Sequence, residues 1–508
     1  MNRLHLALLA LLLLQSSFLL INQFGFYEDD YALVVPCLEG NAHQLASKIS
    51  WDFQHWPHGR PLNHTLPALC AGLYPWGGRL ALYGVLFLIH WLNAVLIYRL
   101  SREFLSPGGA FLAGCAYFLF PGDTSRLLLT HVHVFGALTM ALLALVFRSR
   151  PWAYGLALLT LTSYESAFLV FLLGKPALDG RLRRHLVVCC LILLIPLTIR
   201  VRHSEARLQG VIGNPANAAH RSVSSLAIGP PVSLSAFPRA WAFAIHHNTL
   251  MGVLLIVTAG LILVRCPPDG TGTGCRRLFW TGTFLWVGGY ALTLVNYPPT
   301  QVAGRLTTTH LVAALGLAWM IAAATEAAGN KWAHRLTCLG LAVCMPWLWQ
   351  VQLDYAQAWK LQRAFWTEVV EVCPDLREGD QVVIEGCAPQ PASILAHSWA
   401  DPVVLRIVFG YSEAGLHWVA DSTRTPEWLE RNFDGSLSFF SEPWYRRRPN
   451  YRTEPTLLVR LEGAHLRRLP AMRLGDIELA GRTPPTEVQT SPSLSRFARE
   501  ELLLRSPQ

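Results

Sequence analysis

The sequence predicts a mainly helical, polytopic membrane bundle followed by a small α+β extracytoplasmic domain. Three observations carry this expectation. Hydrophobic residues make up 52% of the 508 positions and charged residues only 15%, whereas soluble domains run nearer a quarter charged. Apolar runs of spanning length recur as far as Val351 with basic turns between them, which suits helices crossing a bilayer. From Gln352 the composition turns to a soluble type, and the remaining length suffices for one small domain. The expected division is therefore 1–351 for the membrane part and 352–508 for the soluble part.

The net charge of +9 does not point to nucleic acid. Most Lys and Arg fall between apolar runs or in the tail, as membrane orientation requires, and no basic block interleaves with aromatics. The eleven Cys are scattered, several inside apolar runs where they act as small hydrophobes. Cys373 and Cys387 flank a strand-like stretch and would suit a disulfide in an oxidising compartment. There is no P-loop, no G-x-G-x-x-G and no G-x-S-x-G, so soluble nucleotide chemistry has no support.

Taken in order, Met1 to Ile21 is a Leu/Ala run with Arg3 ahead of it and no small-x-small cleavage site after it, hence an uncleaved first helix starting in the cytoplasm. Residues 22–79 form a polar, aromatic first extracytoplasmic loop. Leu80 to Leu100 returns to Arg99 and Arg102, Ala110 to Phe120 exits, and Leu127 to Phe147 comes back to Arg148 and Arg150. The run Trp152 to Leu173 is broken by Ser163-Tyr164-Glu165-Ser166. Two short helices meeting there would bring Lys175 to Arg184 back inside and lift Glu165 toward the outer face, with the turn lined by protein or water.

Leu186 to Ile199 exits to a long loop, Arg200 to Asn248. Leu250 to Val264 returns, Phe279 to Val295 exits to the turn that ends at Arg305, Leu306 to Ala324 returns, and Leu336 to Val351 leaves for the last time. The count is about eleven spans, N-terminus in and C-terminus out. Beyond them, Asp380 to Gly386 and Thr456 to Leu461 read as strands.

Orientation taken from the basic loops puts the unusual polar groups on one face. Glu28-Asp29-Asp30, His58-Gly59-Arg60, Asp123 with Arg126, His131 and His133, Glu165 and Arg305 all fall outside. Asp29 or Asp30 could take a proton from an attacking hydroxyl. Arg60 and Arg305 could grip a phosphate and stabilise it as it leaves. Trp51, Trp56 and Tyr31 offer flat faces to a sugar ring. A solvated acidic loop, a snorkelling Arg305, and a local Asp123–Arg126 ion pair are the plainer readings. His131 and His133, two apart, make a poor metal pair, and Cys266 with Cys275 lacks partners for zinc.

In the acidic group after the first helix, the run Gly59-Arg60-Pro61-Leu62, the paired short helices around Tyr164-Glu165 and the late Arg305, the chain resembles the GT-C superfamily of membrane glycosyltransferases. The resemblance covers about the first 350 residues. It implies transfer of a sugar from a polyprenyl-phosphate donor to a glycan, lipid or protein acceptor, at the outer face of a bacterial-type cytoplasmic membrane. The family's catalytic carboxylate maps to Asp29 or Asp30, with Asp29 preferred and Glu165 as a second group. Glu28, Trp56, His58, Arg60, Tyr164 and Arg305 are the expected substrate contacts. A divalent metal is admitted but not required. The sequence departs from the Asp-Glu pair of the protein mannosyltransferases and aminoarabinose transferases, which leaves sugar, acceptor and stereochemistry open. A flippase of lipid-linked glycans and a non-catalytic envelope-assembly subunit are the rival expectations; no internal repeat favours the former.

Overall fold

A computed structural model describes residues 3–179, 182–203, 206–247, 249–270, 272–291, 299–420, 423, 457–482 and 494–504, excluding the side chains of 58, 177–179, 206, 207 and 477. The chain divides into two compact units. Unit 1 comprises Met1–Phe26, Leu33–Ala356 and Ala392–Ile394; unit 2 comprises Tyr27–Ala32, Gln357–Pro391 and Leu395–Gln508. The change of composition at Gln352 is not a break in the backbone, because one helix runs from Met345 to Val372 through it.

The helices, in order, are α1 Arg3–Leu13, α2 Asp30–Leu33, α3 Ala42–His55, α4 Pro61–Ala71, α5 Tyr74–Ser101 and α6 Pro107–Phe118. They continue with α7 Val132–Val146, α8 Ala153–Ser163, α9 Glu165–Asp179, α10 Leu182–Arg202, α11 Ala206–Gly213 and α12 Pro215–His246. The last are α13 Leu250–Val264, α14 Cys275–Gly288, α15 Leu311–Ala328, α16 Lys331–Ala342, α17 Met345–Val372 and α18 Asp401–Phe409.

Among the described residues, six helical stretches are long and apolar enough to cross a membrane: Arg3–Gln23, Tyr74–Ser101, Leu129–Val146, Leu182–Arg202, Arg305–Ala328 and Lys331–Val372. Ala153–Ser163 and Leu250–Val264 are shorter apolar helices. This is a membrane protein with a mainly helical fold. Two stretches read as loops are in fact helical. Within residues 22–79, α3 is started by a capping box in which Asn41 and Gln44 satisfy each other's backbone N–H, and α4 follows. Residues 215–246 form α12 despite Pro230, Pro231 and Pro238, each of which removes a helix donor.

Unit 1 packs by close approach of backbones. Where α14 meets α15, a Cβ on Gly282 would lie 2.6 Å from the Gly316 carbonyl oxygen, and one on Gly316 2.5 Å from that of Gly282. Only glycine allows this contact, a common device between apolar helices. The 3₁₀ turn Arg305–His310 leads directly into α15. The expected break in the Trp152–Leu173 run is present: Tyr164 is extended (φ −151°, ψ 106°) between α8 and α9, and both helices pack on α7.

Unit 2 contains β1 Gln381–Glu385, β2 Gly415–Val419, β3 Leu457–Glu462 and β4 His465–Leu469 in the order β2-β1-β3-β4. β1 runs parallel to β2 and β3, and β4 runs antiparallel to β3. β5 Ala471–Leu474 and β6 Ile477–Ala480 make a separate hairpin. Both hairpins turn on two residues, with Gly463 and Gly475 first at φ +69° and +59°, the positive φ that matches strand twist. Val383, Val419, Leu458, Leu469, Met472, Leu474 and Leu479 form the core. The expected Cys373–Cys387 disulfide is absent: both thiols are free, Cys373 buried and Cys387 exposed. Burial pushes the Cys373 thiol up to about 12.

Candidate functional site

In unit 1 the polar residues gather where four elements meet. The joint between α3 and α4 is tight. Trp56 closes α3 in the left-handed region (φ 46°, ψ 58°), and its N–H bonds the Asp52 carbonyl. A single 3₁₀ turn, Pro57–Gly59, follows, and Arg60 then precedes α4 with Pro61 at its first position. The joint is anchored by buried Asp52, which accepts Lys48 Nζ at 2.5 Å and Thr65 Oγ1 at 3.3 Å.

Glu165 opens α9, where the positive end of the helix favours an acid. Its Oε2 lies 2.5 Å from Arg60 Nη2 and its Oε1 2.5 Å from Arg200 Nη2. Arg200, in the last turn of α10, also donates from Nε and Nη2 to the Gly59 carbonyl at 3.1 Å. Gly59 has φ +67°, and a Cβ there would overlap the Arg200 side chain, so this position requires glycine. Arg60 also lies over the Tyr164 ring, 5.5 Å from its centroid. The three charged side chains are each about a fifth exposed (18%, 20% and 18%). One carboxylate faces two guanidinium groups, which leaves the cluster with a net positive charge.

Tyr164 extends the cluster. Thr308 and Ser166 lie beside its side chain, and the His133 ring meets its ring edge-on at 6.3 Å. Thr308 belongs to the turn begun by Arg305, which is half-buried. That turn is stapled in place: Gly304 N–H donates to Thr124 Oγ1 at 2.8 Å, and the Thr124 N–H donates to Thr307 Oγ1 at 3.0 Å. Gly304 itself is at φ +88°. Asp123 accepts from the Ser125 N–H and hydroxyl at 3.0 and 2.6 Å. Arg126 donates to the carbonyls of Phe118, Phe120 and Asp123. The expected Asp123–Arg126 ion pair is replaced by these carbonyl contacts. His131 and His133 likewise bond the carbonyls of Ser125 and Thr130.

The acidic stretch belongs to unit 2 and is not a wet loop. Glu28 is 2% and Asp30 0% exposed, with Tyr27 and Tyr31 buried beside them. Glu28 adopts φ 42°, a strained setting for a side chain with a Cβ. Asp30 Oδ2 accepts the Tyr27 N–H at 3.0 Å as the chain enters α2. Asp29 is half-buried, and its Oδ1 accepts the Trp399 indole N–H at 3.1 Å. Tyr31 donates to Gln362 Oε1 at 2.5 Å.

The expected residues therefore fall into two groups. Arg60, Tyr164 and Glu165 form one cluster, with Arg305 on the turn that carries Thr308, while Glu28, Asp29 and Asp30 lie in the other unit. Trp56 is half-buried at the α3–α4 joint and His58 lies in the adjoining turn, its side chain outside the described residues. Glu165, the second group expected from the sequence, is engaged by the two arginines, Arg60 and Arg200. Arg200, Thr308 and Trp399 went unnoticed in sequence; Arg200 reads there as the edge of an apolar run. Among the described residues, no group of three or more His, Cys, Asp and Glu is placed to hold a metal ion.

No family model, curated protein or solved structure matches the chain.

Proposed function

We propose that this protein is a GT-C-type membrane glycosyltransferase that moves a sugar from a polyprenyl-phosphate donor to a glycan, lipid or protein acceptor. In this reading about eleven crossings build the bundle, with the N-terminus in the cytoplasm and unit 2 outside a bacterial-type membrane. The observation that supports it most is the Arg60–Glu165–Arg200 cluster beside Tyr164, partly exposed and net positive.

Such a cluster suits a phosphate. Arginine presents a planar fork that matches phosphate oxygens, and it stays charged throughout. Charge grows on the donor phosphate as the C1–O bond to the sugar breaks, and fixed guanidinium groups stabilise that charge most strongly at the transition state. Glu165 aligns the two forks in advance, so little reorganisation is needed during the reaction. Arg305 serves the same phosphate. Tyr164 and Trp56 flank the sugar.

Asp29 accepts the proton of the acceptor hydroxyl as its oxygen attacks C1. The leaving group is the polyprenyl phosphate. Asp29 suits this role better than Asp30, because Asp30 is fully buried whereas Asp29 is half-buried.

The test is transfer by purified protein in liposomes containing undecaprenyl phosphate loaded with a radiolabelled hexose or pentose, with a polyol acceptor added outside. Appearance of labelled product, lost in Arg60→Ala and Arg200→Ala, supports the proposal. Movement of labelled lipid between leaflets with no cleavage of the sugar would replace it with the flippase reading.

A further inference from the structure

Unit 2 holds its acidic stretch by residues far away in sequence, and Trp399 touches Asp29. The indole N–H can only donate, and it reaches Asp29 Oδ1 at 3.1 Å. The segment carrying Trp399 is itself tied on both sides. Gln390 Oε1 accepts the N–H groups of Ala396 and His397 at 2.7 and 3.2 Å, and its Nε2 donates to the His397 carbonyl at 3.2 Å. On the other side, Asp401 begins α18, where its N–H bonds the Ser398 carbonyl at 3.1 Å and its Oδ2 accepts the Trp418 indole at 2.7 Å. The His397 ring packs against Phe365 and Trp418, with centroids 4.3 and 5.2 Å away. Trp399 is thus a rigidly mounted donor aimed at a half-buried carboxylate.

We propose that Trp399 is a positioning residue for Asp29: its indole N–H fixes the plane of the carboxylate that takes the proton. This rests on reading Asp29 as the base. A carboxylate turned about its χ2 presents its lone pairs to the acceptor hydroxyl in the wrong direction, and small errors in such geometry cost rate far more than binding. The contact lies within unit 2 and joins residues 370 apart in the sequence.

The experiment compares Trp399→Phe and Trp399→His with the full-length protein in the liposome assay, using undecaprenyl-phosphate hexose as donor. Phe keeps the ring and removes the N–H; the imidazole restores a donor. The expectation is a kcat about tenfold lower for Trp399→Phe, with donor KM within about twofold, an unchanged melting temperature and partial recovery in Trp399→His. A wild-type kcat in Trp399→Phe, alongside an inactive Asp29→Asn, overturns the inference and leaves the proposed function standing. Parallel losses of kcat and melting temperature with no recovery in Trp399→His also overturn it, since they indicate packing alone. Wild-type transfer by Asp29→Asn instead removes the reading on which it rests.

Discussion

Replacing Glu165 by Gln removes one negative charge from between two guanidinium groups while keeping the side-chain volume. In the native cluster each carboxylate oxygen has an arginine nitrogen at 2.5 Å, and all three side chains are about a fifth exposed. Breaking a fully buried pair costs about 3–5 kcal/mol, while exposed pairs contribute about 0–1 kcal/mol. A site of this intermediate exposure should therefore lose about 2 kcal/mol, part of it from the two arginines now repelling each other. With roughly 2 °C per kcal/mol for larger domains, the apparent melting temperature should fall by about 4 °C. Differential scanning fluorimetry in detergent reads this directly. The double variant Glu165→Gln/Arg200→Gln should lose less than the sum of its parts, because residues in one network couple. A melting temperature unchanged in Glu165→Gln, with strictly additive double-variant losses, would refute the reasoning.

Two other expectations concern backbone and protonation. Gly59→Ala places a Cβ against Arg200 at φ +67°, which should cost about 1–3 kcal/mol of strain and lower transfer activity with it; circular-dichroism melts and the liposome assay check both. In unit 2, burial holds the His417 imidazole down from 6.5 to about 3. The unfolded chain then binds the proton more readily, so the His417 contribution is present above pH 6.5 and lost as the pH falls toward 3. Acid-unfolding profiles should be shallower over that window in His417→Gln.

Much of the helical framework was readable because apolar runs and basic turns carry strong physical constraints. The break at Tyr164 was readable for the same reason: a lone acid within an apolar run demands a partner or a turn. The strands at 381–385 and 457–462 were marked by β-branched and aliphatic residues between turn formers. Helix α12 was hidden by three internal prolines, and α3 by the Trp, His and Lys content of a stretch that pattern alone assigns to a loop. The partners of the key acids were hidden by distance. Arg200 lies 35 residues from Glu165 and Trp399 lies 370 from Asp29, and nothing local in sequence links either pair. The burial of Glu28 and Asp30 was equally invisible, since a run of carboxylates reads as a surface until the residues that cover it are known.

The proposed function stands or falls on which aspartate carries the reaction. Asp30→Asn can keep the amide oxygen that accepts the Tyr27 N–H, so it should retain most of the transfer rate and shift the melting temperature only slightly. Asp29→Asn keeps an acceptor for Trp399 but cannot take a proton, so it should fold normally and transfer sugar on the order of 10²–10⁴ times more slowly. The direct measurement is the initial rate of labelled-sugar transfer from undecaprenyl-phosphate hexose or pentose by the two variants, each checked for its melting temperature. Loss confined to Asp29→Asn is the predicted result; transfer by Asp29→Asn at the wild-type rate contradicts the assignment of Asp29 as the base.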